Sequence, residues 1–450
     1  MKKIYAILGA LLLSLLLVVG VYSLFSRDAD VQKPELTFTG LFSGGYASGI
    51  RSYYAEAFPQ SESLKSMNTS LNGFYKFSGF SGEDDVQLIL NMNSQAADHG
   101  ASLENPSSSS LSPEASDSSQ STEPTESTQP ETTESVAPSD GPEAGAVVEN
   151  LGAALLVGTR AVEVPYADYD SISDYAGAVT NIATALGSDV NTYSIVVPNA
   201  AEFYTTEDYH TGSSSQIDMI DYCYDHMGSN VHTVDAYSAL ASHIDEYIYF
   251  RTDHHWTQLG AYYAYTAFCD AAGLHAQPLS SFETGQYDSF VGSMYNFLSD
   301  YPQSAILREN PDTLHFWRPY VETDTFYYED ATLSLKYEIG VISWVGDSVS
   351  NKYLCFLGGD HPVTIISTDV DGPVCVLLKE SYGNAFAPWL TSHYSKIIVI
   401  DPREFNRDGK PSLDLKQFAK EQGVDDCIIL NYPMMINSDA YIDWLNRLVQ

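Results

Sequence analysis

Asp253 and His255 stand two residues apart in the string Thr252-Asp253-His254-His255-Trp256-Thr257, directly after the apolar run Tyr247 to Phe250. If this string continues an extended strand end, side chains at i and i+2 point the same way and His254 faces the opposite side. Asp253 can then accept a hydrogen bond from Nδ1 of His255, which leaves Nε2 free to act as a general base. An acid and an imidazole alone catalyse little, so this chemistry requires a nucleophile elsewhere in the chain.

Ser381 is the favoured nucleophile because it lies where a predicted strand gives way to a predicted helix. The segment Lys379-Glu380-Ser381-Tyr382-Gly383-Asn384 follows the apolar run Val374 to Leu378. A serine there can expose Oγ while its backbone N–H, near the positive end of the helix, points at an oxyanion. Gly383 allows close approach of the backbone to a ligand, and Asn384 can supply a side-chain N–H donor. Acyl transfer needs these features, although serine at this position also commonly caps a helix.

Two other sets of reactive residues compete with this interpretation. Gly346-Asp347-Ser348 contains the short Gly-Asp-Ser hallmark of SGNH hydrolases, but it follows a less strand-like run and lacks a helix-opening glycine and asparagine. Asp253 and the two histidines could instead bind a metal ion, but adjacent histidines diverge on a strand and no third ligand cluster of matching spacing is evident. The sequence therefore predicts neither a metal site nor a cofactor.

The charge and the cysteines restrict the class of partner and of scaffold. The chain carries 59 acidic against 21 basic residues, for a net charge of −38, which argues against nucleic acid or anionic lipid headgroups as ligands. Five scattered cysteines without CxxC pairs do not predict a disulfide framework. They are Cys223, Cys269, Cys355, Cys375 and Cys427.

The N-terminal third of the chain divides into an apolar segment, an ordered-looking part and an acidic insert. Met1-Lys2-Lys3 precedes an almost purely apolar stretch to Phe25, which predicts a signal anchor at 1–26 that crosses the membrane once and directs the remainder outward. A cleaved signal peptide would leave the protein secreted instead. The ectodomain begins at 27–97. The Ser-, Thr-, Pro- and Glu-rich segment 98–144 is predicted to be disordered, because it cannot bury enough apolar surface to become ordered.

From 145 to 450 the pattern alternates between helix-like and short apolar runs, which predicts an α/β domain. Continuous apolar runs are typical of parallel strands that are covered on both faces. The region at about 277–373 is rich in Tyr, Thr, Gly and Asp, and is predicted to be irregular β structure or long loops inserted in the sheet. The predicted helices are Ile172 to Leu186, Gln258 to Ala272 and Ser412 to Gln422, and the predicted strands are Tyr193 to Val197, Val374 to Leu378, Lys396 to Ile400 and Cys427 to Leu430.

Three motifs in chain order together resemble the DHHW protein family of bacterial cell envelopes. They are the string at 252–257, the segment at 379–384, and Ile400-Asp401-Pro402-Arg403-Glu404-Phe405. That family is similar to the SGNH-like acetyltransferases of alginate O-acetylation, in which an Asp-x-His pair and a later Ser form a triad. The likeness covers roughly 42–406 without the acidic insert. It implies an SGNH-hydrolase-like three-layer sandwich with a central, mostly parallel sheet.

Carried over to this chain, the resemblance implies that Asp253 orients His255, that His255 is the base and that Ser381 is the nucleophile. Two departures from the family pattern stand beside this triad. Glu380 replaces the usual Asp, and its longer arm puts a backbone clamp there in doubt, while Pro402 removes one N–H donor. Trp256 is expected to pack beneath the turn. The residues predicted to form the oxyanion or substrate contacts are Asn384, Gly383, Tyr382, His254 and Arg403.

The implied function is a serine-dependent O-acetyltransferase or acetylesterase that lies outside the bacterial cell membrane and acts on an envelope polysaccharide. A transferase would need a glycan acceptor and a membrane-bound O-acyltransferase partner as acetyl donor, whereas an esterase would pass the acyl group to water. The alternative is a catalytically inactive SGNH-like binding or scaffold protein. A separation of about 3 Å between Ser381 Oγ and His255 Nε2 would favour an enzyme.

Overall fold

A mixed sheet of eight strands forms the centre of the computed structural model, which describes residues 146–151 and 154–450. The strands of the described part are β1 (Val148–Asn150), β2 (Leu155–Val157), β3 (Arg160–Val162), β4 (Asn191–Val196), β5 (Val231–Thr233), β6 (Glu283–Phe290), β7 (Asp312–Arg318), β8 (Thr323–Tyr328), β9 (Lys336–Ile339), β10 (Val363–Thr368), β11 (Val374–Lys379), β12 (Lys396–Ile400) and β13 (Asp426–Asn431). The central sheet has the order β5-β4-β13-β11-β12-β10-β8-β9. The first five of these strands run parallel, and the last three form an antiparallel edge.

The helices pack in groups on this sheet. They are α1 (Tyr169–Leu186), α2 (Ala200–Tyr204), α3 (Gln216–Asp225), α4 (Ala236–Ala241), α5 (Gln258–Ala272), α6 (Ser293–Phe297), α7 (Ala305–Glu309), α8 (Tyr382–Leu390), α9 (Leu415–Gln422), α10 (Pro433–Ile436) and α11 (Asp439–Arg447). One group centres on α1, which contacts α3, α9 and α11, and another centres on α5, which contacts α4 and α8. The predicted α/β class is confirmed, with a mixed central sheet.

The predicted helix ends follow from local capping chemistry. Thr257 accepts a hydrogen bond from the N–H of Gly260 at the start of α5, and Gly273 ends that helix in the left-handed region at φ +68°, where glycine carries no steric penalty. The helix predicted from Ser412 begins later, because Asp414 caps α9 through the N–H of Gln417. An N-cap carboxylate satisfies a backbone donor that lacks a partner within the helix.

The apolar runs form the most buried part of the sheet. Every residue of β13 is buried, and so are all residues of β11 and β12 after the first. Both faces of these strands are therefore covered, as their continuous apolar sequence predicts. All five cysteines are buried as free thiols.

The region predicted as irregular insertion contributes regular strands to the sheet. Three of its segments, β8, β9 and β10, build the antiparallel edge, and β6 pairs with β7 in a separate hairpin. β8 has one fully buried residue among partly exposed neighbours. β8 lacks the continuous apolar run by which the central strands were recognised, so its sequence pattern did not identify it.

The predictions for the N-terminal part fall outside the described residues. These are the anchor at 1–26, the part at 27–97 and the disordered insert at 98–144. In the part of the chain that the structure describes, none of the helices has both the length and the apolar character to cross a membrane.

Two helical glycines should respond oppositely to alanine. A Cβ at Gly260 would lie 2.4 Å from the carbonyl oxygen of Ile248, whereas nothing lies within 4 Å of a Cβ at Gly177. Gly260→Ala should therefore lower the free energy of unfolding by about 1–3 kcal/mol through overpacking. Gly177→Ala should raise it by up to about 1 kcal/mol, since alanine favours helix. Urea unfolding of both variants tests the difference, and equal effects would contradict the close packing of α5.

Candidate active site

Asp253 and His255 lie on a bend rather than on a strand end, so the predicted extended geometry is wrong. Tyr249 and Trp256 form an isolated antiparallel bridge, and the backbone bends at 251–255 between them. Asp253 Oδ1 accepts hydrogen bonds from both the backbone N–H of His255 at 3.0 Å and its Nδ1 at 2.6 Å. Aspartate often bonds to its own backbone two residues on. The contact between acid and imidazole thus arises from a local turn and not from strand alternation.

A buried carboxylate holds this bend from outside. Asp312, at the start of β7, accepts hydrogen bonds from the N–H groups of Arg251 at 2.9 Å and Thr252 at 2.8 Å. It also accepts from the hydroxyls of Thr252 and Tyr247. Sequence reasoning missed Asp312, since it lies 60 positions from Thr252 and no spacing rule connects the two. Arg160 on β3 also donates to the backbone carbonyls of Tyr249 and Phe250, which directly precede the bend.

The structure brings together the three residues predicted as a triad. His255 Nε2 lies 2.7 Å from Ser381 Oγ, and Nδ1 of the same ring lies 2.6 Å from Asp253 Oδ1. The second Asp253 oxygen accepts the N–H of Ser293 at 2.8 Å, and all three side chains are buried. Burial by itself raises the pKa of Asp253, but the charge and hydrogen bonds of His255 outweigh it and hold that pKa below its usual value. The carboxylate stays ionised beside the imidazole, which suits it to stabilise an imidazolium.

Ser381 occupies the predicted turn between β11 and α8. Its hydroxyl makes no capping hydrogen bond to the helix, so the capping interpretation does not hold and Oγ instead faces the imidazole. Gly383 has a different role from the one predicted. A Cβ there would lie 2.4 Å from Cβ of Lys379, so glycine makes room for that side chain rather than for a ligand.

Aromatic residues fix the imidazole and join the bend to the turn. The Tyr353 ring stacks on His255, with centroids 3.9 Å apart and planes 9° apart, and its hydroxyl donates to the carbonyl of Ser381 at 3.0 Å. The indole N–H of Trp256 donates to the carbonyl of Tyr382 at 3.0 Å. The Tyr382 hydroxyl donates to the backbone carbonyl of His254 at 2.5 Å. Because Tyr382 is fully buried, it positions the two segments rather than contacting substrate as predicted.

His254 lies beside His255 rather than on the opposite side, which corrects the sequence-based geometry. The two ring centroids are 3.8 Å apart. His254 Nδ1 lies 2.6 Å from Ser293 Oγ, and its Nε2 is buried without a hydrogen-bond partner. Burial, assisted by the charge of His255, lowers the pKa of His254 to about 3. His254 is therefore neutral at physiological pH.

Asp253, His254 and His255 also form a group that could hold a metal ion, with ligand atoms within 4.8 Å of one another. The two histidines therefore do not diverge, contrary to the prediction. Three of their four ring nitrogens are nevertheless engaged, since Nδ1 of His255 is on Asp253, its Nε2 is on Ser381, and Nδ1 of His254 is on Ser293. A metal ion bound through any of these three nitrogens would have to break the contact that the nitrogen makes. The hydrogen-bonded arrangement is what a serine nucleophile requires.

A second cluster of charges lies beside the triad and centres on Asp360. This carboxylate accepts hydrogen bonds from Lys379 Nζ at 2.6 Å, Arg403 Nη2 at 2.6 Å and Asn384 Nδ2 at 2.8 Å. Asp401 accepts hydrogen bonds from Nε and from the same Nη2 of Arg403. Burial by itself raises the pKa of Asp360, but Lys379 and Arg403 outweigh it and hold that pKa below its usual value. Arg403, predicted to contact substrate, is therefore buried in ion pairs, and one amide N–H of Asn384 is used by Asp360.

Asp360 was missed because it precedes a strand instead of following one. β10 is antiparallel to β12, with Val363 opposite Ile400. The start of β10 therefore lies at the same sheet edge as the carboxyl end of β12. Asp360 is therefore not among the polar residues that directly follow parallel strands, where ligand sites of such sheets are expected.

Glu380 makes the backbone clamp that its longer arm had placed in doubt. Its Oε2 accepts the N–H of Tyr382 at 3.0 Å, while Oε1 is buried without a partner. Burial raises the pKa of Glu380 to about 8, so its carboxyl is protonated at neutral pH. Pro402 is tolerated because it opens a short 3-10 helix, where its missing N–H has no intrahelical partner to lose.

The rival serine lies elsewhere. Ser348 is exposed in a turn at 347–348, whereas Nε2 of His255 faces Ser381. The geometry therefore favours Ser381 as the nucleophile.

The family model described as DHHW protein matches residues 30–400. The chain belongs to this family. A crystal structure of a DHHW family protein from Eubacterium siraeum DSM 15702 is 30% identical, with a TM-score of 0.59, and the match covers 68% of this chain and 99% of that one. No curated protein matches the chain.

Two more distant solved structures also match this DHHW protein. Bacillus cereus PatB1 with a sulfonyl adduct is 15% identical with a TM-score of 0.52, and the match covers 66% of this chain and 98% of that one. The O-acetyltransferase domain of Pseudomonas putida AlgJ is 14% identical with a TM-score of 0.38, and the match covers 67% of this chain and 99% of that one. PatB1 supports the same overall fold for this DHHW protein.

The protonated carboxyl of Glu380 should make stability depend on pH. Its folded pKa of about 8 lies above its usual value of 4.5, so the stabilisation is full at low pH and is lost as pH rises towards 8. The melting temperature of the wild type should therefore fall more steeply than that of Glu380→Gln between about pH 5 and pH 8. The exposed Glu309 gives the control variant Glu309→Gln, whose curve should run parallel to the wild type. Identical slopes for Glu380→Gln and the wild type would contradict the prediction.

Proposed function

We propose that this DHHW protein is an extracytoplasmic serine-dependent O-acetyltransferase or acetylesterase that acts on a cell-envelope polysaccharide. The observation that carries the proposal is the 2.7 Å contact between His255 Nε2 and Ser381 Oγ, with Nδ1 of the same ring on Asp253. A hydroxyl paired with a base, which a third group orients, is the arrangement of an activated serine nucleophile. Membership of the DHHW family and the fold shared with PatB1 support the proposal.

The chemistry proceeds in two halves. His255 takes the proton of Ser381 as Oγ attacks the acetyl carbonyl carbon of the donor, and then gives that proton to the departing oxygen of the donor. The acetyl group is left as an ester on Ser381. In the second half His255 deprotonates an acceptor hydroxyl or a water molecule, which attacks the ester and regenerates the serine. Asp253 stabilises the imidazolium in both halves.

Donors for the tetrahedral oxyanion come from the start of α8. The backbone N–H of Ser381 lies at the positive end of this helix, where partial charge favours an anion. Asn384 has two amide hydrogens, one of which is directed at Asp360. The other is available to the oxyanion in this proposal. The ion pairs of Asp360 with Lys379 and Arg403 then serve to hold the Asn384 side chain in place.

The access of water to the acyl-serine decides whether the acetyl group passes to a sugar hydroxyl or to water. Ser381, His255 and Asp253 each expose 4% of their surface, which limits hydrolysis and favours transfer to a bound sugar hydroxyl. The acetyl donor in this proposal is a membrane-bound O-acyltransferase partner. The predicted signal anchor at 1–26 would keep the ectodomain beside that partner on the outer side of the bacterial cell membrane.

Hydrolysis of 4-nitrophenyl acetate by the purified protein tests the nucleophile. Ser381→Ala and His255→Ala should each lower kcat by about 1,000-fold or more, because the triad acts as a unit. The exposed Ser348 is the rival nucleophile, and because 4-nitrophenyl acetate contains no sugar, Ser348→Ala should leave kcat within about twofold of the wild type. Loss of activity in Ser348→Ala with retention in Ser381→Ala would refute the assignment.

Covalent labelling provides a second readout that does not depend on the natural donor. An activated Oγ should displace fluoride from phenylmethylsulfonyl fluoride, forming an O–S bond while the proton passes to His255. Mass spectrometry should place the sulfonyl group on Ser381 in the wild type and should detect none in His255→Ala. Absence of both labelling and turnover in the wild type would support the inactive scaffold instead.

A further inference from the structure

Trp344 is the one large aromatic side chain of its hairpin that faces solvent. It is 69% exposed, whereas Trp256, Trp389 and Trp444 are buried. It lies on a hairpin formed by residues 341–357, in which Ile342 bridges Phe356 and neighbouring backbone groups are hydrogen-bonded. Transfer of the apolar surface of an exposed indole from water to contact with a partner is favourable.

The backbone beneath the indole is held in place on both sides. The ring lies against Gly346, where a Cβ would come within 3.1 Å of the indole carbon Cη2. The N–H of Val345 donates to the hydroxyl of Tyr287 at 2.9 Å, and the carbonyl of Gly346 accepts from Lys352 Nζ at 2.8 Å. Lys352 is itself buried, so its ammonium group serves this loop rather than solvent. The loop that carries the indole is thus hydrogen-bonded on both sides, and most of the indole surface is open to solvent.

The same hairpin reaches the nucleophile. Lys352 precedes Tyr353, whose ring stacks on His255 at 3.9 Å and whose hydroxyl donates to the carbonyl of Ser381. Lys352 therefore links the loop of Trp344 to the residue that covers the catalytic imidazole. A polymer that presents one of its hydroxyls to Ser381 could place a neighbouring unit on this loop.

Two exposed polar residues follow the indole closely in the chain. Asp347 and Ser348, exposed in the turn directly after Gly346, offer a carboxylate and a hydroxyl that can bond to sugar hydroxyls. The same carboxylate and the net charge of −38 repel an anionic ligand. These residues are the Gly-Asp-Ser motif, which the proposed catalytic chemistry does not use.

We propose that residues 344–348 form a subsite that binds an uncharged pyranose unit of the acceptor polysaccharide. The apolar C–H face of the sugar lies on the open face of Trp344, and its hydroxyls bond to Asp347 and Ser348. The π face of an indole carries negative potential that attracts such C–H groups, and a rigid aromatic loses little conformational entropy on binding. The identity of the glycan as acceptor rests on the proposed function, whereas the binding itself does not.

Titration calorimetry on the full-length Ser381→Ala protein tests the subsite without any turnover. The uncharged probes are chitopentaose and cellopentaose, and a pentameric alginate fragment is the anionic probe. At least one uncharged probe should bind at least about tenfold more tightly than the alginate fragment. Adding Trp344→Ala should weaken that binding at least about tenfold, and Trp344→Phe should weaken it less because a smaller aromatic face remains.

An exposed aromatic outside the hairpin provides the matched control. Tyr166 is 61% exposed, and Tyr166→Ala should leave the affinity unchanged. Failure of both uncharged probes to bind, or an affinity that Trp344→Ala leaves unchanged, would overturn the subsite even if Ser381 proves to be the nucleophile. Binding that depends on Trp344 in a protein without Ser381-dependent turnover would uphold the subsite and refute the proposed enzyme.

Discussion

The hydrogen bond between His255 Nε2 and Ser381 Oγ joins two segments that lie 126 positions apart, and much of the surrounding structure serves to keep them in register. The bend at 251–255 depends on Asp312, which satisfies its backbone N–H groups. The turn at Ser381 depends on Glu380, whose carboxyl takes the N–H of Tyr382. Two buried carboxyls thus hold the two halves of the candidate site.

Hydrogen bonds donated by two aromatic side chains then connect the two segments directly. The Trp256 indole and the Tyr382 hydroxyl each reach across to a carbonyl of the other segment. Because these carbonyls are buried, losing a donor would leave each of them unsatisfied, which is costly in an apolar environment. The triad geometry is therefore maintained by groups that take no part in the chemistry. Such supporting groups keep a catalytic arrangement within the narrow tolerance that it needs.

The buried charges beside the triad are likewise satisfied by partners from distant parts of the chain. Asp360 accepts hydrogen bonds from two cationic side chains and from Asn384, and Asp401 balances the guanidinium of Arg403. Isolated charges at this depth would be strongly destabilising, whereas paired and hydrogen-bonded charges are tolerated. Two residues predicted from family likeness to contact substrate, Tyr382 and Arg403, instead belong to this supporting structure. The Tyr382 hydroxyl is on a backbone carbonyl and the Arg403 guanidinium is held by two carboxylates, and such engagement cannot be read from a motif.

The sequence by itself determined the α/β class, the main parallel strands, the C-terminal ends of the longer helices and the identity of the Asp253, His255 and Ser381 group. These features depend on local signals, namely continuous apolar runs, capping residues and motif order, which act over a few neighbouring residues. Tertiary structure alone decided how the acid meets the imidazole, where His254 lies, and that Asp312, Tyr353 and Asp360 complete the site. Each of these depends on contacts between distant segments. For Asp360, it also depends on the antiparallel β10, whose start lies at the edge where the parallel strands end. Such contacts are set by packing and by the need to satisfy buried polar groups, for which the linear spacing of residues carries no signal.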